Sequence, residues 1–126
     1  MRDLILYLSV GMGSAVGGMA RYAVARNLVG RVWHGLPLAT WFVNFAGSAL
    51  FGALLARHAQ RPMADVTYLA LTTGILGGFT TYSTFNAELL RQLQAGRIGD
   101  AVLYAVATGS TCLAGAALAY VVCSRP

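Results

Sequence analysis

The sequence predicts an all-α membrane protein with four transmembrane helices per chain, the third broken near the membrane midplane, assembled as an antiparallel, dual-topology homodimer. Three observations lead to this prediction. Of 126 residues, 57% are hydrophobic and 10% are charged, which is unlike a soluble domain with a wet surface. Four apolar blocks follow one another with short polar links, and eight of the nine arginines divide four and four between the two sides of the membrane, with Arg21 inside the first block.

A single transmembrane domain, 1–126, is expected, because the length leaves no room for a separate soluble module. The helices are predicted at about 4–28, 38–56, 66–94 with a break near 77–81, and 101–123. Each block reaches the roughly 20 residues that one crossing needs. Small residues at four-residue spacing, such as Gly13 with Gly17 and Gly74 with Gly78, permit close helix packing.

The arginine distribution bears on orientation, because cytoplasmic loops normally carry an excess of Lys and Arg. With four spans, one side holds Arg2, Arg57, Arg61 and Arg125, and the other holds Arg26, Arg31, Arg91 and Arg97. This balance predicts insertion in both directions and an antiparallel homodimer, unless it is an accident in a chain oriented by other signals. The net charge is +5, and nearly all of the arginines that produce it flank the apolar blocks. This arrangement indicates contact with membrane lipid rather than with nucleic acid.

The third block is too long for one straight span, since Val66 to Leu93 covers about 28 residues. Its middle contains glycines and hydroxyl residues, which weaken a helix and can satisfy the backbone groups released when it unwinds. At such a break, carbonyl oxygens can coordinate a cation and half-helix N-termini favour anions. The alternative is a continuous helix whose hydroxyls bond back to carbonyls one turn earlier.

Candidate anion-binding side chains lie in three of the blocks. Asn44, in the middle of the second block, offers two N–H donors, although a hydrogen bond to another helix would explain it equally well. Phe79, Tyr82 and Phe85 recur every three residues, and aromatic ring edges carry positive charge. The fourth block adds a hydroxyl stripe of Tyr104, Thr108 and Thr111. Arg21 either draws anions toward a vestibule or snorkels to the interface.

Catalysis is not predicted. His34 and His58 lie in expected loops without metal-ligand spacing, and no nucleophile has a base in the same stretch. Cys112 and Cys123 are eleven residues apart, about 16 Å along a helix, and cannot pair within it. We interpret both cysteines as small buried apolar residues.

The segment from Gly77 to Phe85, GGFTTYSTF, resembles the GGxTTFSTF signature of the Fluc/CrcB family of fluoride-specific ion channels. Two weaker motifs agree in order: a glycine-rich first helix ending in Arg21-Tyr22, and Thr40 followed by Asn44 and Gly47, similar to T-x-x-x-N-x-x-G. The resemblance covers essentially the whole chain in length, number of spans and motif order.

The resemblance implies a fluoride channel of the bacterial inner membrane that exports cytoplasmic fluoride passively, rejects chloride and protects against fluoride toxicity. It also implies a structural Na⁺ at the centre of an antiparallel homodimer, held by the backbone carbonyls of Gly77 and Thr80. The implied pore residues are Asn44, Tyr82, Ser83, Thr84, Phe85, Tyr104 and Thr108, with Arg21 in the vestibule. Tyr82 stands where the family usually has phenylalanine.

Two other functions remain open from sequence. A small multidrug transporter has a similar length and number of spans, but it needs a membrane-buried carboxylate, and the first helix here offers only Arg21. Glu88 is the one acidic candidate, toward the end of the third block. A noncatalytic membrane subunit packing through small-residue faces would not need a broken helix.

Overall fold

The computed structural model describes residues 1–125, which are mostly helical. The helices are α1 (Arg2–Asn27), α2 (Leu38–Gln60), α3 (Asp65–Leu69), a π-helical segment π1 (Ala70–Leu76), α4 (Gly77–Phe79), α5 (Tyr82–Gln94) and α6 (Ile98–Cys123). Two short strands, β1 (Val32–Trp33) and β2 (Leu36–Pro37), pair antiparallel between α1 and α2. The helical class expected from sequence is confirmed.

Three helices, α1, α2 and α6, are long and apolar enough to cross a membrane. Most of their side chains face outward, including large apolar ones such as Met12, Leu113 and Leu118. Such surfaces suit lipid, because lipid solvates apolar side chains while the helix satisfies its own backbone. The chain is therefore a multi-pass membrane protein.

The predicted third span is a series of short helices. α3 continues through π1 and α4 to Phe79, and helical geometry then stops. Thr80 (φ −81°, ψ 159°) and Thr81 (φ −151°, ψ 109°) are extended, after which α5 begins at Tyr82. The N–H and the hydroxyl of Thr80 both donate to the carbonyl of Leu76, at 3.0 and 2.9 Å. These bonds satisfy the end of α4 before the chain turns away from the helix axis.

Close backbone contact joins α1 to π1 and α4. A Cβ atom added to Gly17 would overlap the Ile75 carbonyl, and one added to Gly78 would overlap the Ser14 carbonyl. Gly13 and Gly74 meet in the same way, so the small-residue contacts expected from their spacing are confirmed here. Glycine is required at these positions because the two backbones occupy the space of a side chain.

A second helix pair, α2 with α6, forms the other half of the chain. Gly52 lies against the backbone of Ala116, and Gly115 lies under the ring of Phe45. Phe45 also stacks on Trp41, with ring centroids 5.4 Å apart. α5 packs on α6, so residues after the interruption join this pair while α3, π1 and α4 join α1.

The link between α1 and α2 contains a β-hairpin that the sequence predicts only as a turn-rich segment. Its turn residues His34 (φ 46°) and Gly35 (φ 80°) are both left-handed, as a two-residue type I′ hairpin requires. The Gln92 amide donates to the Gly35 carbonyl at 2.6 Å, and Gly35 lies beside the Asp100 side chain. The hairpin therefore holds the start of α2 against the α5–α6 turn.

Replacing Gly17 by alanine should destabilise the chain by about 1–3 kcal/mol, because the added methyl group would push α1 away from Ile75. Gly11→Ala is the matched control, since a Cβ atom there meets nothing within 4 Å. Unfolding in detergent, followed by circular dichroism, measures both variants. Equal stability of Gly17→Ala and Gly11→Ala would contradict the proposed tight contact.

Candidate functional site

Asn44 of α2 pairs with the interrupted backbone. Its Nδ2 donates to the carbonyl of Thr81 at 3.1 Å, and its Oδ1 accepts from the Thr81 N–H at 2.8 Å. The interhelical bond considered from sequence is therefore present. It uses one of the two N–H donors of Asn44 and leaves the other free of protein partners within residues 1–125.

Thr81 also caps α5. Its Oγ1 accepts from the Thr84 N–H at 3.3 Å and donates to the Thr84 hydroxyl at 3.0 Å, and it lies 3.3 Å from the Ser83 hydroxyl. A threonine at this position replaces a missing backbone acceptor for the first turn of the helix. The predicted residues Ser83 and Thr84 thus lie at the N-terminus of α5, the end of a helix that favours anions.

Because the Thr81 and Thr84 N–H groups bond side chains, two backbone carbonyls lose the donors that a continuous α-helix would give them. In a continuous α-helix the carbonyls of Gly77 and Thr80 would accept from the N–H groups of Thr81 and Thr84. Both N–H groups instead bond side-chain oxygens, those of Asn44 and Thr81. The Gly77 and Thr80 carbonyl oxygens therefore lack their α-helical donors, and oxygen ligands of this kind fit a hard cation.

Glu88 of α5 joins three helices. Its Oε1 accepts from the Thr40 hydroxyl of α2 at 2.9 Å, and its Oε2 accepts from the Tyr104 hydroxyl of α6 at 2.8 Å. Thr40 and Tyr104 are buried. From sequence, Glu88 was considered only as the acidic residue that a multidrug transporter would need, and its hydroxyl partners were not predicted. The Tyr104 proton is engaged by Glu88 and is not free to meet an anion.

The predicted pore aromatics meet at α5 and α6. The ring centroids of Tyr82 and Phe85 lie 5.8 Å apart, and Phe85 contacts Tyr104 edge-on with centroids 4.9 Å apart. Tyr82 is 74% exposed in the single chain. Phe79 precedes the interruption and lies near Gly47 instead. Phe79 therefore does not share a helix with Tyr82 and Phe85, because the extended residues Thr80 and Thr81 lie between them.

A cavity of about 690 Å³ gathers many of the predicted residues between α2, π1, α5 and α6. Its lining includes Asn44, Gly77, Thr80, Tyr82, Phe85, Thr108 and Cys112. Thr108 is only 5% exposed, and its Oγ1 is buried without a hydrogen-bond partner. In the predicted hydroxyl stripe, Thr111 differs, because it accepts from the Trp41 indole at 3.0 Å and donates to the Ala107 carbonyl.

A second cavity of about 260 Å³ includes Thr81 in its lining. Arg21, Tyr22, Thr40, Thr81 and Thr84 contribute to its lining. The predicted residues therefore divide between two spaces, with Arg21 and Thr84 in the smaller one. Tyr104 is fully buried, and Ser83 lines neither of these two cavities.

His58 has two structural partners. His58 lies in the last turn of α2, not in a loop as expected. Its Nδ1 accepts from the Met63 N–H at 3.0 Å, and its ring stacks on Tyr68 with centroids 4.1 Å apart. α2 continues to Gln60, past residue 56, where the sequence predicts its end.

The apolar helices and the polar interruption define a multi-pass helical membrane protein, and comparison with known proteins is consistent with this class. Residues 8–120 match the family model described as CrcB-like protein, Camphor Resistance (CrcB). The chain therefore belongs to the CrcB family, and the resemblance seen in its motifs is confirmed.

Curated relatives align over most of the chain. A protein of Thermus thermophilus named fluoride-specific ion channel FluC is 40% identical over 99 residues, which cover 79% of each chain. Fluoride-specific ion channel FluC 1 of Moorella thermoacetica is 42% identical over 106 residues, covering 82% of this chain and 75% of the relative. The Idiomarina loihiensis FluC is 36% identical over 115 residues, covering 90% and 89%.

Removing the Glu88 carboxylate should destabilise the chain strongly. Glu88→Ala would leave the buried Thr40 and Tyr104 hydroxyls without their acceptor, at a cost of about 1–3 kcal/mol for each group. Glu88→Gln is the matched control, because its amide can bond both hydroxyls by accepting from one and donating to the other. Unfolding in detergent measures the difference, and a Glu88→Ala protein as stable as Glu88→Gln would refute this role.

Proposed function

We propose that this chain is a fluoride-selective channel of the bacterial inner membrane that lets cytoplasmic fluoride leave passively, rejects chloride and thereby protects against fluoride toxicity. The observation that carries the proposal is the alignment of curated relatives named fluoride-specific ion channels over 79% to 90% of the chain. Channels of this family are not enzymes, in agreement with the absence of a catalytic motif from the sequence.

The geometry suggests how a small, strongly hydrated anion is accommodated. Selectivity requires that protein donors replace the hydration shell. Asn44, which keeps a second N–H, and Thr108, whose hydroxyl is buried and unpartnered within residues 1–125, belong to the lining of one cavity. Tyr82 and Phe85 present rings there whose edges carry positive charge. Tyr104 positions the Phe85 ring through the edge-on contact between the two rings, while the Tyr104 hydroxyl donates to Glu88.

The approach to this cavity is positively polarised. Arg21 lines the smaller cavity with Thr84, next to Thr81. The positive end of the α5 helix dipole, with Ser83 and Thr84 in its first turn, points to the same region. We assign Arg21 to a vestibule that raises the local concentration of anions, and Ser83 and Thr84 to the passage from that vestibule toward Asn44.

We propose an antiparallel, dual-topology homodimer in which residues 65–94 form the third of four crossings, with the interruption at Thr80 and Thr81 near the midplane. The balanced arginines support insertion in both directions. The exposure of Tyr82 supports a second copy of the chain. Tyr82 belongs to the wall of the larger cavity but is 74% exposed in the single chain, so this wall is incomplete without a partner. Contact with membrane lipid follows from the apolar outer faces of α1, α2 and α6.

The proposal includes a structural Na⁺ at the dimer centre, held by the Gly77 and Thr80 carbonyls. The loss of their helical donors supports this assignment. Bound there, the ion would supply a fixed positive charge beside the interruption. The chain's own contribution is to keep the two carbonyls free, which Asn44 and Thr81 do by taking up the competing N–H groups.

Fluoride efflux from liposomes containing the purified protein tests the function, with a fluoride electrode as the readout. We expect rapid fluoride release and no release of chloride. Asn44→Leu should abolish most of the flux, because it removes the free donor and both bonds to Thr81. Absence of fluoride release from folded wild-type protein would contradict the proposed function.

Asn27→Leu is the matched control for Asn44→Leu. Asn27 is exposed, and within residues 1–125 its side chain donates only to the Ala23 carbonyl of its own helix, at 2.8 Å. The fluoride flux of the Asn27→Leu variant should therefore match that of the wild type. Asn44→Asp keeps an acceptor for the Thr81 N–H but loses both N–H donors and adds a negative charge, so its flux should fall even if the fold is kept. Undiminished flux in Asn44→Asp would remove the donor role.

Dual topology predicts that each chain terminus occurs on both sides of the membrane. We expect a single cysteine near residue 2, in a background with Cys112 and Cys123 replaced by serine, to be labelled by an impermeant reagent in about half of the chains in intact cells, given the balanced arginines. Permeabilised cells give the total. Labelling of none or all of the chains in intact cells would contradict the antiparallel dimer.

A further inference from the structure

The segment that joins α1 to α2 lies at one surface of the membrane. α1 has 26 residues and is therefore about 39 Å long, which exceeds the roughly 30 Å hydrocarbon core of a bilayer. Both α1 and α2 are long and apolar enough to cross a membrane. The hairpin between them therefore lies at the depth of the lipid headgroups.

This segment exposes apolar and basic side chains next to one another. Val29, Val32 and Trp33 are each more than half exposed, and Arg31 is exposed between them. These four residues are called the hairpin patch below. Tryptophan at the end of a membrane crossing sits at the headgroup level, because its ring is apolar and its indole N–H is polar.

The hairpin patch belongs to a fixed part of the fold. Leu36, which pairs with Trp33 across the hairpin, is buried. The carbonyl of Arg31 accepts from the Leu38 N–H at 3.1 Å, and the turn accepts from the Gln92 amide at 2.6 Å. The exposure of the Trp33 ring is therefore built into the hairpin, and an apolar surface held outward in this way marks a contact with something outside the chain.

Charge indicates what that contact is. The hairpin lies against the α5–α6 turn, and the crossing ends that meet there carry Arg26, Arg31, Arg91 and Arg97 against one carboxylate, Asp100. Arg97 lies 3.6 Å from that carboxylate, and within residues 1–125 Arg31 forms no ion pair. The opposite end of the chain carries four arginines and two aspartates. Neither end of a second copy would neutralise the patch, whereas an anionic headgroup does.

We propose that the hairpin patch binds a phospholipid headgroup of net negative charge, with Arg31 on the phosphate and Trp33 beside the upper part of the acyl chains. A guanidinium offers paired N–H donors that match two phosphate oxygens. The proposal assigns a place and a charge class to one lipid, beyond the general contact of the apolar helix faces with the bilayer. It does not rest on the proposed fluoride channel.

Trp33 itself provides the probe, because the chain has two tryptophans. Trp41→Phe leaves Trp33 as the single one and keeps an aromatic ring against Phe45. This protein is reconstituted in phosphatidylcholine vesicles with a minor share of phosphatidylglycerol. Either the phosphatidylglycerol or an equal mole fraction of the phosphatidylcholine is brominated near the top of its acyl chains, and bromine quenches tryptophan fluorescence on contact.

We expect phosphatidylglycerol to be enriched about fivefold over phosphatidylcholine beside Trp33, which corresponds to the attraction of one arginine to an anionic lipid. The enrichment should fall as salt is added, because salt screens exposed charges. Arg31→Gln in the same background should bring quenching by the two lipids close to equal. Arg61→Gln is the matched control: it removes the same charge from the far end of α2 and should keep the enrichment.

Equal quenching of Trp33 by the two brominated lipids in the parent protein would overturn the inference. A preference that survives Arg31→Gln would overturn it as well, and so would one that Arg61→Gln abolishes to the same extent. Quenching by neither lipid would mean that protein covers Trp33, which also contradicts a lipid site. Fluoride is not measured in this experiment, so failure of the proposed function leaves each of these outcomes readable.

Discussion

The paired hydrogen bonds between Asn44 and Thr81 are the interaction on which the rest of the site depends. Interrupting a helix within an apolar surrounding exposes backbone groups whose desolvation is costly. Asn44 supplies both a donor and an acceptor to one residue at that point, at 3.1 and 2.8 Å. The N–H and the carbonyl of Thr81 are thereby hydrogen-bonded by a neighbouring helix. The chain can leave helical geometry at this residue without leaving these two groups unpaired.

The two hydrogen bonds between Asn44 and Thr81 require α2 and the interrupted segment to keep a fixed position relative to each other. The glycines of α1 hold π1 and α4 at backbone distance, while α2 and α6 pack through Gly52 and Gly115. Glu88 then ties α5 to α2 and α6 through Thr40 and Tyr104. The two halves of the chain meet at Thr80 and Thr81, so small changes in either helix pair move the groups that line the cavities.

The sequence predicted the parts that depend on local composition. Glycines and hydroxyls in an overlong apolar block marked the interruption, and glycines four residues apart marked the α1 contact with π1. It did not predict the Glu88 network, because Thr40 and Glu88 are 48 residues apart and no local pattern links them. The aromatic periodicity failed at Phe79 for a related reason: a three-residue spacing assumes a continuous helix, and the interruption falls within it.

Several of the predicted donors already have protein partners, which constrains what an anion can meet. Tyr104 donates to Glu88 and Thr111 to a carbonyl, and one N–H of Asn44 is used on Thr81. The remaining Asn44 N–H is therefore one polar group of the large cavity, whose lining also contains hydroxyl residues such as Ser48 and Thr73. In the proposed channel, fluoride exchanges its hydration for fixed donors and for the ring edges of the aromatic wall. Such an exchange depends on donor placement rather than on donor number, and that placement is set by Asn44 through the same bonds that hold the interruption.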